Sequence, residues 1–412
     1  MRNTANSSEA LGDKKMRKIF QDKTVVLGVT GSIAAYKIAN LASSLVKKGA
    51  NVHVIMTKNA TNFINPITFE SLTGNKCLVD TFDRNFEFSV EHVSLAKMAD
   101  VFMVAPASAN VIGKIAGGIA DDMLTTTIMA CKCHKIISPA MNTNMFENQI
   151  VQDNIQKLKN YGYEIIEPAS GYLACGDTGA GKMPEPAVLE SYIMKEIAME
   201  KDMAGEKVLI TAGPTMEKID PVRFISNHST GKMGYALAKV AMLRGADVTL
   251  VTGKTNIQKP DFVNVIEVQS AREMFEAVDN VFDNQDIVIM SAAVADYRPK
   301  NVAAEKIKKK DGQAVIELER TDDILATMSA RKKEQFICGF SMETENMLEN
   351  SKAKLEKKNL DMICANNLKV DGAGFGTDTN VVTLITKNDV KELPIMSKAE
   401  VAENILNEIK RG

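Results

Sequence analysis

Short apolar runs alternate with longer amphipathic stretches along most of the chain. The runs are rich in β-branched residues and end at turn residues, as buried strands do, whereas stretches such as 34–48 and 235–244 have helical periodicity. In the first half we predict strands at residues 24–29, 52–56, 100–105, 135–138 and 163–166. In the second half we predict strands at residues 207–211, 247–251, 286–291, 335–340, 361–365 and 381–385. This alternation implies parallel sheets with helices on both faces.

The same local pattern occurs in both halves of the chain. Residues 45–57 and 243–252 each follow a strand, a glycine-containing turn and a helix, as the second strand of a Rossmann-like unit does. A charged stretch without motifs, residues 199–206, separates the two units. We therefore predict two Rossmann-like three-layer α/β/α domains, over residues 21–200 and 201–412, preceded by a disordered arm of residues 1–20.

Composition excludes several classes of protein. The chain has 412 residues, of which 45% are hydrophobic and 25% charged, and its net charge of −2 lacks the basic excess of a non-specific nucleic-acid binder. The most apolar long stretch, residues 101–120, contains a proline, a lysine and three glycines, which makes it too polar to span a membrane. The first twenty residues lack the apolar core of a secretory signal. We expect a cytoplasmic protein without membrane or nucleic-acid partners.

The cysteines do not form a recognisable framework. Six cysteines with irregular spacing do not predict a set of disulfides. Cys131-x-Cys133-His134 places three metal-binding side chains together, but they are closer in sequence than the ligands of a usual zinc site. Buried thiols at a strand edge are the simpler interpretation, and the sequence assigns no metal ligands.

Three turns in the first half place small or polar side chains at strand ends or helix starts. Gly31 and Ser32 follow the first strand, Ser108 and Asn110 follow the third, and Thr125 lies near a helix start. Backbone N–H groups at such helix starts bind phosphate. Because the dinucleotide glycine pattern is missing, a mononucleotide such as FMN fits better than NAD. The alternative for the first turn is a tight turn with a capping serine.

Longer motifs in the first half resemble those of the FMN-dependent cysteine decarboxylases. They are Gly-Ser-Ile-Ala-Ala-Tyr-Lys at 31–37, Pro-Ala-Met-Asn-x-x-Met at 139–145 and a glycine-rich lid, Cys-Gly-x-x-Gly-x-Gly-Lys-Met, at 175–183. The resemblance implies that FMN oxidises the cysteine moiety of 4′-phosphopantothenoylcysteine at its thiol-bearing carbon, so that the adjacent carboxylate leaves as CO₂. It also implies that His92 assists the oxidation, Asn142 holds the carboxylate and Cys175 donates the proton of the final reduction.

Motifs in the second half resemble those of phosphopantothenate–cysteine ligase. They are Thr-Ala-Gly-Pro-Thr at 211–215, Ile-Ser-Asn-His-Ser-Thr-Gly-Lys-Met-Gly at 225–234, Ala-Ala-Val-Ala-Asp at 292–296 and Lys-Ile-Lys-Lys at 306–309. They follow the order found in the bifunctional bacterial enzymes of coenzyme A synthesis. By itself the lysine run would be a solvated turn, but beside a nucleotide it could bind a triphosphate. The resemblance implies a CTP-dependent reaction through an acyl-cytidylate, with Mg²⁺ neutralising the phosphates.

The ligase resemblance also assigns site residues. It implies that Asn227 handles the acyl-cytidylate, Asp296 reads the cytosine amine and Lys306 contacts the triphosphate. The implied CTP pocket consists of Ala292, Asp296, Lys306, Asp323, Ile324, Leu325, Phe340, Lys354 and Lys358. One local departure precedes Asp323, where this chain has Thr321-Asp322 in place of Asn-Pro.

Two other functions compete with this interpretation. A non-catalytic FMN-binding regulator is disfavoured because His92, Asn142 and Cys175 occur together and because a ligase half follows. An NAD-dependent oxidoreductase is disfavoured because the dinucleotide glycines are missing. The resemblance further implies a homo-oligomer, with a trimer-forming flavoprotein half and a dimer-forming ligase half that together permit a dodecamer.

Overall fold

The computed structural model describes residues 19–81, 91–172, 178–308, 315–343, 346–367 and 376–411. The chain separates into two units, and the division falls between Met199 and Glu200. Cys175 of the lid motif and the predicted disordered arm up to residue 18 lie outside the described residues.

The first unit is built on a parallel sheet of five strands. They are β1 (Thr24–Val29), β2 (Asn51–Met56), β3 (Val101–Ala107), β4 (His134–Pro139) and β5 (Glu164–Ile165). Their spatial order is β2-β1-β3-β4-β5, and each neighbouring pair is parallel. The strand order reverses between β1 and β3, so loops leaving these strands diverge and open a crevice at the carboxyl edge. An antiparallel ribbon of β6 (Ala169–Tyr172) and β7 (Thr178–Lys182) follows.

Helices cover both faces of this sheet. They are α1 (Ala35–Lys47), α2 (Pro66–Thr73), α3 (Glu91–Met98), α4 (Ala109–Gly117), α5 (Met123–Ala130), α6 (Thr143–Glu147), α7 (Gln149–Asn160) and α8 (Pro186–Ile197). Alternate strand residues point to opposite faces. Val25 and Leu27 therefore share one core with α1 and α8, whereas Val26 and Phe102 share the other with α4, α5 and α7.

The second unit has a larger sheet of eight strands and three small antiparallel ribbons. In chain order its strands are β8 (Lys207–Ala212), β9 (Met216–Lys218), β10 (Phe224–Ser226), β11 (Asp247–Thr252), β12 (Asn264–Glu267), β13 (Ile287–Met290), β14 (Tyr297–Pro299), β15 (Leu318–Arg320), β16 (Phe336–Glu343), β17 (Met362–Asn367), β18 (Thr379–Asn380), β19 (Val382–Thr386), β20 (Val390–Glu392) and β21 (Met396–Ser397). The sheet order is β12-β11-β8-β13-β16-β17-β19-β20, and β9–β10, β14–β15 and β18–β21 form the ribbons. The strand order reverses between β8 and β13.

The all-parallel prediction needs one correction at the edge of this sheet. The strand predicted at residues 381–385 is present as β19, but it pairs antiparallel with β17, and β20 pairs antiparallel with β19. A parallel return requires a crossover, usually a helix, and no helix occurs in the described residues between β17 and β19. The six neighbouring strands β12-β11-β8-β13-β16-β17 are parallel, which confirms the prediction for five of them and adds β12, which was not predicted.

Among the residues that the structure describes, four helices of the second unit lie along the chain between strands of its parallel sheet, and a fifth follows the last strand. They are α9 (Lys232–Leu243), α10 (Ala271–Phe282), α11 (Ile324–Ala330), α12 (Met347–Lys357) and α13 (Lys398–Ile409). Met274, Phe282, Met328 and Leu355 bring α10, α11 and α12 into one apolar core with the sheet. Helix α9 packs on β8 and β11 and against α13. None of the helices in the described part of the chain combines the length and hydropathy that a bilayer-spanning segment needs.

Candidate active sites

One buried hydroxyl joins the loops that leave β1 and β3. Thr30 has 0% exposure, and its Oγ1 donates to the carbonyl of Pro106 at 2.6 Å and accepts from the N–H of Ser108 at 2.9 Å. The hydroxyl therefore both donates and accepts a hydrogen bond across the switch point. Thr30 thus fixes the spacing of two loops that the sequence predicts to hold a cofactor. Sequence reasoning missed this residue, whose only signal is its position beside Gly31.

The turn before α1 has the features of a phosphate site. A Cβ atom at Gly31 would lie 2.8 Å from Cβ of Asn59, so this turn packs closely on the loop after β2. Ser32 is half-buried, and its Oγ accepts from the N–H of Ala34 at 3.3 Å. The N–H groups of residues 31–33 donate to no acceptor within the described part of the chain. Unpartnered N–H groups at the positive end of a helix fit a phosphate group.

The other predicted FMN residues divide into two kinds. Ser108 precedes α4 without making a side-chain capping bond, and Asn110 is exposed in the first turn of that helix. Thr125 is fully buried, and its hydroxyl donates to Oδ1 of Asp122 at 2.8 Å in a capping box that begins α5. Ser108 and Asn110 can therefore face a ligand directly. Thr125 has no exposed surface, and its bonds to Asp122 stabilise the start of α5.

The glycine-rich ribbon packs directly on the loop that carries Asn142. Asn142 caps α6, where its Oδ1 accepts from the N–H of Asn144 at 2.9 Å. The N–H of Met141 donates to the carbonyl of Gly181 at 3.0 Å, and a Cβ at Gly181 would lie 2.4 Å from the carbonyl oxygen of Met141. Gly181 of the lid motif is thus needed for close backbone approach. His92 is half-buried on α3, and its convergence with the lid stays a prediction because Cys175 is outside the described residues.

The second unit ties its switch-point loops together in a similar way. Thr211 Oγ1 accepts from the N–H of Ala292 at 3.2 Å, and the buried Thr215 Oγ1 accepts from the N–H of Ala295 at 2.9 Å. Gly253, after β11, lies close to the loop that follows β8. A Cβ at Gly253 would be 1.9 Å from the carbonyl oxygen of Pro214 in that loop. These contacts hold the predicted Ala292–Asp296 segment at the carboxyl edge of β8 and β13.

The start of α9 is pressed against the same switch point. Gly231 caps the helix with φ 79°, a left-handed conformation that favours glycine. A Cβ at Gly234 would lie 2.5 Å from Cβ of Ala212 and 2.7 Å from Oγ of Ser291. Asn227 is exposed, and its Nδ2 donates to the carbonyl of Ala293 at 3.0 Å. The structure therefore brings Asn227 and the 292–296 segment together beside a helix N-terminus.

The predicted nucleotide residues of α11 and α12 also meet. Asp323 caps α11, and Nζ of Lys358 lies 2.8 Å from its Oδ2 and 3.0 Å from its Oδ1. Burial alone would raise the pKa of Asp323, but the hydrogen bonds from Lys358 and from the N–H of Ala326 lower it overall. Lys354 is exposed on α12, one turn before Lys358, which caps the end of that helix. The ion pair orients the carboxylate and the ammonium toward each other.

The pocket walls are partly buried. Ile324 belongs to the apolar core, whereas Leu325 and Phe340 are half-buried. A Cβ at Gly339 would lie 3.2 Å from Cδ2 of Leu325, so α11 sits directly on β16. Ile324 thus anchors α11 in the apolar core, whereas Leu325 and Phe340 have exposed surface that can contact a ligand.

The departure at Thr321 has a clear structural role. Its N–H donates to the carbonyl of Asp296 at 3.0 Å, and its Oγ1 donates to the carbonyl of Ala295 at 2.6 Å. Asp296 itself is exposed. Thr321 thereby connects the turn before α11 to the backbone at Asp296, the predicted cytosine reader, and brings together two parts of the predicted pocket.

Lys306 lies on the exposed segment between β14 and β15. Its neighbour Ile307 donates its N–H to Oδ2 of Asp220 at 3.1 Å. Within the described residues, no group of three or more His, Cys, Asp and Glu side chains could hold a metal ion, so protein ligands for Mg²⁺ stay unassigned.

Comparison with known proteins identifies both units. A family model described as flavoprotein matches residues 14–198, and one described as DNA/pantothenate metabolism flavoprotein C-terminal domain matches residues 203–411. The chain is 49% identical to the coenzyme A biosynthesis bifunctional protein CoaBC of Bacillus subtilis, over 95% of this chain and 97% of the relative.

Two solved structures each cover about one half of the chain. The C-terminal domain of a coenzyme A biosynthesis bifunctional protein CoaBC is 47% identical, with 51% of this chain and 96% of that domain covered and a TM-score of 0.44. The FMN-dependent cysteine decarboxylase SpaF is 30% identical, with 43% of this chain and 97% of that chain covered and a TM-score of 0.38.

The near full-length relative and the two family models confirm the resemblance inferred from the motifs. The chain belongs to the family of bifunctional coenzyme A biosynthesis proteins, enzymes in which a flavoprotein decarboxylase half is joined to a ligase half.

Proposed function

We propose that the second unit uses CTP to activate 4′-phosphopantothenate and couples it to cysteine, and that the first unit decarboxylates the product with FMN. In the ligase reaction the substrate carboxylate attacks the α-phosphate of CTP and releases pyrophosphate. The cysteine amine then displaces CMP from the acyl-cytidylate. The observation that carries the proposal is the assembly of motif residues at two switch points, one in each unit, in a chain 49% identical to a bifunctional relative.

The first unit fits FMN better than a dinucleotide. Its strand order 2-1-3-4-5 is that of flavodoxin-like sheets, which bind FMN where β1 and β3 diverge. At this point, within the described residues, the N–H groups of residues 31–33 have no acceptor and Ser108 makes no capping bond. When bound, FMN would supply the oxidation of the thiol-bearing carbon and later return the electrons.

Three side chains would act on the substrate of the first unit. Asn142 would donate from its side-chain NH₂ group to the substrate carboxylate. Its Oδ1 accepts from the N–H of Asn144, which orients the side chain. His92 would assist removal of a proton during oxidation. Cys175 would donate a proton to the product of decarboxylation, as a thiol can and a serine hydroxyl cannot at neutral pH.

Replacing Cys175 separates the early steps from the last one. Cys175→Ser should still release CO₂ but should form no 4′-phosphopantetheine, and its ligase reaction should be unchanged. Cys133→Ser is the matched control, because Cys133 is a free, half-buried thiol outside the lid. A normal yield of 4′-phosphopantetheine from Cys175→Ser would remove this thiol from the mechanism.

In the second unit, Lys306 and Asn227 would act in different steps. Lys306 is a cation on an exposed segment and would stabilise the triphosphate during formation of the acyl-cytidylate. Asn227 is uncharged, and its position on the carbonyl of Ala293 suits orientation of the acyl group during attack by cysteine. Loss of one such preorganised contact costs about 3 kcal/mol, or roughly a hundredfold in rate.

Quench-flow with labelled CTP tests these assignments. Lys306→Gln should block release of pyrophosphate, and Asn227→Asp should slow the second step more and let cytidylate accumulate. Lys259→Gln is the control, because Lys259 is paired with Glu267 on an exposed surface. Accumulation of cytidylate in Lys306→Gln, or its absence in Asn227→Asp, would reverse the assignments.

Asp296 would select the nucleotide. Its exposed carboxylate is an acceptor for the exocyclic amine of cytosine, whereas uracil presents a carbonyl there. CTP should therefore support pyrophosphate release much faster than UTP, and Asp296→Asn should reduce that preference. Equal use of both nucleotides by the unchanged enzyme would contradict this role. Mg²⁺ would enter with the triphosphate and neutralise its charge.

We also infer a homo-oligomer in the cytoplasm. The ribbons β9–β10 and β14–β15 carry exposed apolar side chains, with Phe224 53%, Tyr297 47% and Leu318 48% exposed. Two-stranded ribbons are only marginally stable in water, so a second copy that covers them would stabilise both. Five cysteines of the described residues are free thiols, as a reducing compartment favours. Light scattering of the intact protein tests assembly into dimers, trimers or the dodecamer.

A further inference from the structure

A buried carboxylate joins the hairpin that leads to Asn227 with the segment that carries Lys306. Asp220 lies in the turn between β9 and β10 and is 1% exposed. Its Oδ1 accepts from the N–H groups of Val222 and Arg223, both at 2.8 Å, and so closes the turn. Its Oδ2 accepts from the N–H of Ile307 at 3.1 Å. One carboxylate oxygen therefore stabilises the turn, and the other binds the segment that carries Lys306.

Arg223 completes the connection from the other side. Its Nε and Nη2 donate to Oδ2 of Asp220 at 3.0 and 2.5 Å, and Nη2 also donates to the carbonyl of Ile307 at 2.9 Å. A backbone hydrogen bond also joins the two segments, from the N–H of Ala303 to the carbonyl of Ile219 at 3.0 Å. The hydrogen bond from Arg223 holds the pKa of Asp220 well below its usual range, which keeps the acceptor ionised.

We propose that Asp220 is a positioning residue for Lys306 in the first step of the ligase reaction. Both the N–H and the carbonyl of Ile307 are held by the Asp220–Arg223 pair, which restrains the backbone directly after Lys306. On the other side, β10 leads from Arg223 to Asn227 in four residues. The Asp220–Arg223 pair, of which only Asp220 is buried, thus sets where the triphosphate lysine lies relative to the acyl-handling asparagine. The inference rests on the role proposed above for Lys306.

Asp220→Asn removes the contact to the lysine segment while keeping the shape of the side chain. The remaining carbonyl oxygen can still accept from Val222 and Arg223, but an amide NH₂ in place of Oδ2 cannot accept from Ile307. The measurement is single-turnover release of pyrophosphate from CTP and 4′-phosphopantothenate without cysteine. We expect a loss on the order of a hundredfold, because small misplacements of a catalytic group have effects of that size.

A double-mutant cycle with Lys306→Gln distinguishes positioning from general damage. If Asp220 acts through Lys306, Asp220→Asn should change the residual rate of the Lys306→Gln protein less than about threefold. An equal loss in both backgrounds would overturn the proposal. If Lys306→Gln alone leaves pyrophosphate release unchanged, the role of Lys306 fails instead.

Two further variants complete the test. Asp202→Asn is the matched control, since Asp202 pairs with Nε and Nη2 of Arg244 in the same unit, far along the chain from Lys306. It should leave pyrophosphate release unchanged. If Asp220→Asn does not fold, Arg223→Lys replaces it in the cycle, because lysine cannot bond Asp220 and the carbonyl of Ile307 in the same fork. Absence of coupling between Arg223→Lys and Lys306→Gln would then overturn the proposal.

Discussion

Single hydroxyl groups hold the two candidate sites in place. Thr30 joins the loops after β1 and β3, and Thr215 and Thr321 support the segment that ends at Asp296. Each is a short side chain whose oxygen bonds to backbone groups of a loop distant in sequence. Such contacts satisfy backbone groups in loops that approach one another, which buried polar groups require.

Removing the Thr30 hydroxyl should weaken the first unit and its hold on flavin. Thr30→Val keeps the shape but leaves the carbonyl of Pro106 and the N–H of Ser108 without this partner. We expect the free energy of unfolding to fall by about 2 kcal/mol and flavin to be lost on dialysis. Thr30→Ser, which keeps the hydroxyl, should retain flavin, and equal behaviour of the two variants in urea unfolding and dialysis would contradict the account.

Backbone contact explains a glycine of the second unit. Gly253→Ala would place a Cβ against the carbonyl oxygen of Pro214 and displace the loop after β8. Ligase activity should fall at least tenfold while CO₂ release from added 4′-phosphopantothenoylcysteine persists. Gly376→Ala is the control, since no atom in the described part of the chain lies within 4 Å of its added Cβ. Unchanged ligase activity of Gly253→Ala would show that the loop tolerates this displacement.

The motifs predict candidate site residues, but the hydrogen bonds that hold those residues are visible only in the structure. Asn227, Asp323 and Lys358 belong to recognisable motifs, and their partners in space follow from the parallel sheet. The motifs do not identify Thr30 or Asp220 and mark Thr321 only as a departure, because the roles of these three residues depend on hydrogen bonds to residues more than twenty positions away. Thr125 stays a predicted FMN residue, although its hydroxyl belongs to the capping box of α5, because a capping box and a phosphate turn use the same residue types.

At the scale of elements, strands with apolar side chains were easier to predict than ribbons. All eleven predicted strands have counterparts in the structure, because the central strands are buried on both faces and read as continuous apolar runs. The ribbons β9–β10 and β14–β15 are short and carry mixed side chains, so their patterns do not differ from those of loops. These ribbons nevertheless flank Asn227 and Lys306.

The pairing of β4 with β5 includes an ion pair that depends on pH. His134 Nε2 lies 3.1 Å from Oε2 of Glu164, which also accepts at Oε1 from Nζ of Lys195 at 2.7 Å. The hydrogen bond to Glu164 raises the pKa of His134 above its usual 6.5 despite burial, and Glu196 adds to this effect while Lys195 opposes it. Burial raises the pKa of Glu164, but His134 and Lys195 lower it overall.

A raised histidine pKa stabilises the fold at low pH. The stabilisation is complete below the pKa of the unfolded chain, near 6.5, and disappears as the pH rises through the higher folded value. His134→Asn should therefore lower the melting temperature at about pH 5.5 and have a smaller effect at about pH 9. His53, whose pKa burial lowers, is unchanged in both proteins, so its opposite contribution cancels in the comparison. A difference that is the same at both pH values would exclude this ion pair as the cause.

At the scale of the whole molecule, the residues around the division between the two units determine where the chain can be cut with both units still active. Residues just after the division already belong to the second unit: Asp202 pairs with Arg244, and the buried Met203 donates its N–H to the carbonyl of Arg244 at 3.0 Å. We predict that separation between Met199 and Glu200 gives two active fragments, of which only the first is yellow. Separation after Glu206 should destabilise the ligase fragment, because it removes these contacts.

Absorbance and half-reaction assays of the fragments check this prediction. Flavin bands should appear in the first fragment alone, and pyrophosphate release should occur in the second alone. If flavin binding needs both fragments, or if the two separation points give equally stable ligase fragments, the proposed domain boundary is wrong.

The central claim is that one chain performs both reactions in sequence. The most direct measurement is mass spectrometry after incubation of the intact protein with 4′-phosphopantothenate, cysteine, CTP and Mg²⁺. We predict 4′-phosphopantetheine, CO₂, CMP and pyrophosphate in equal amounts. Accumulation of 4′-phosphopantothenoylcysteine without CO₂ would contradict the decarboxylase half of the claim, and unconsumed CTP would contradict the ligase half.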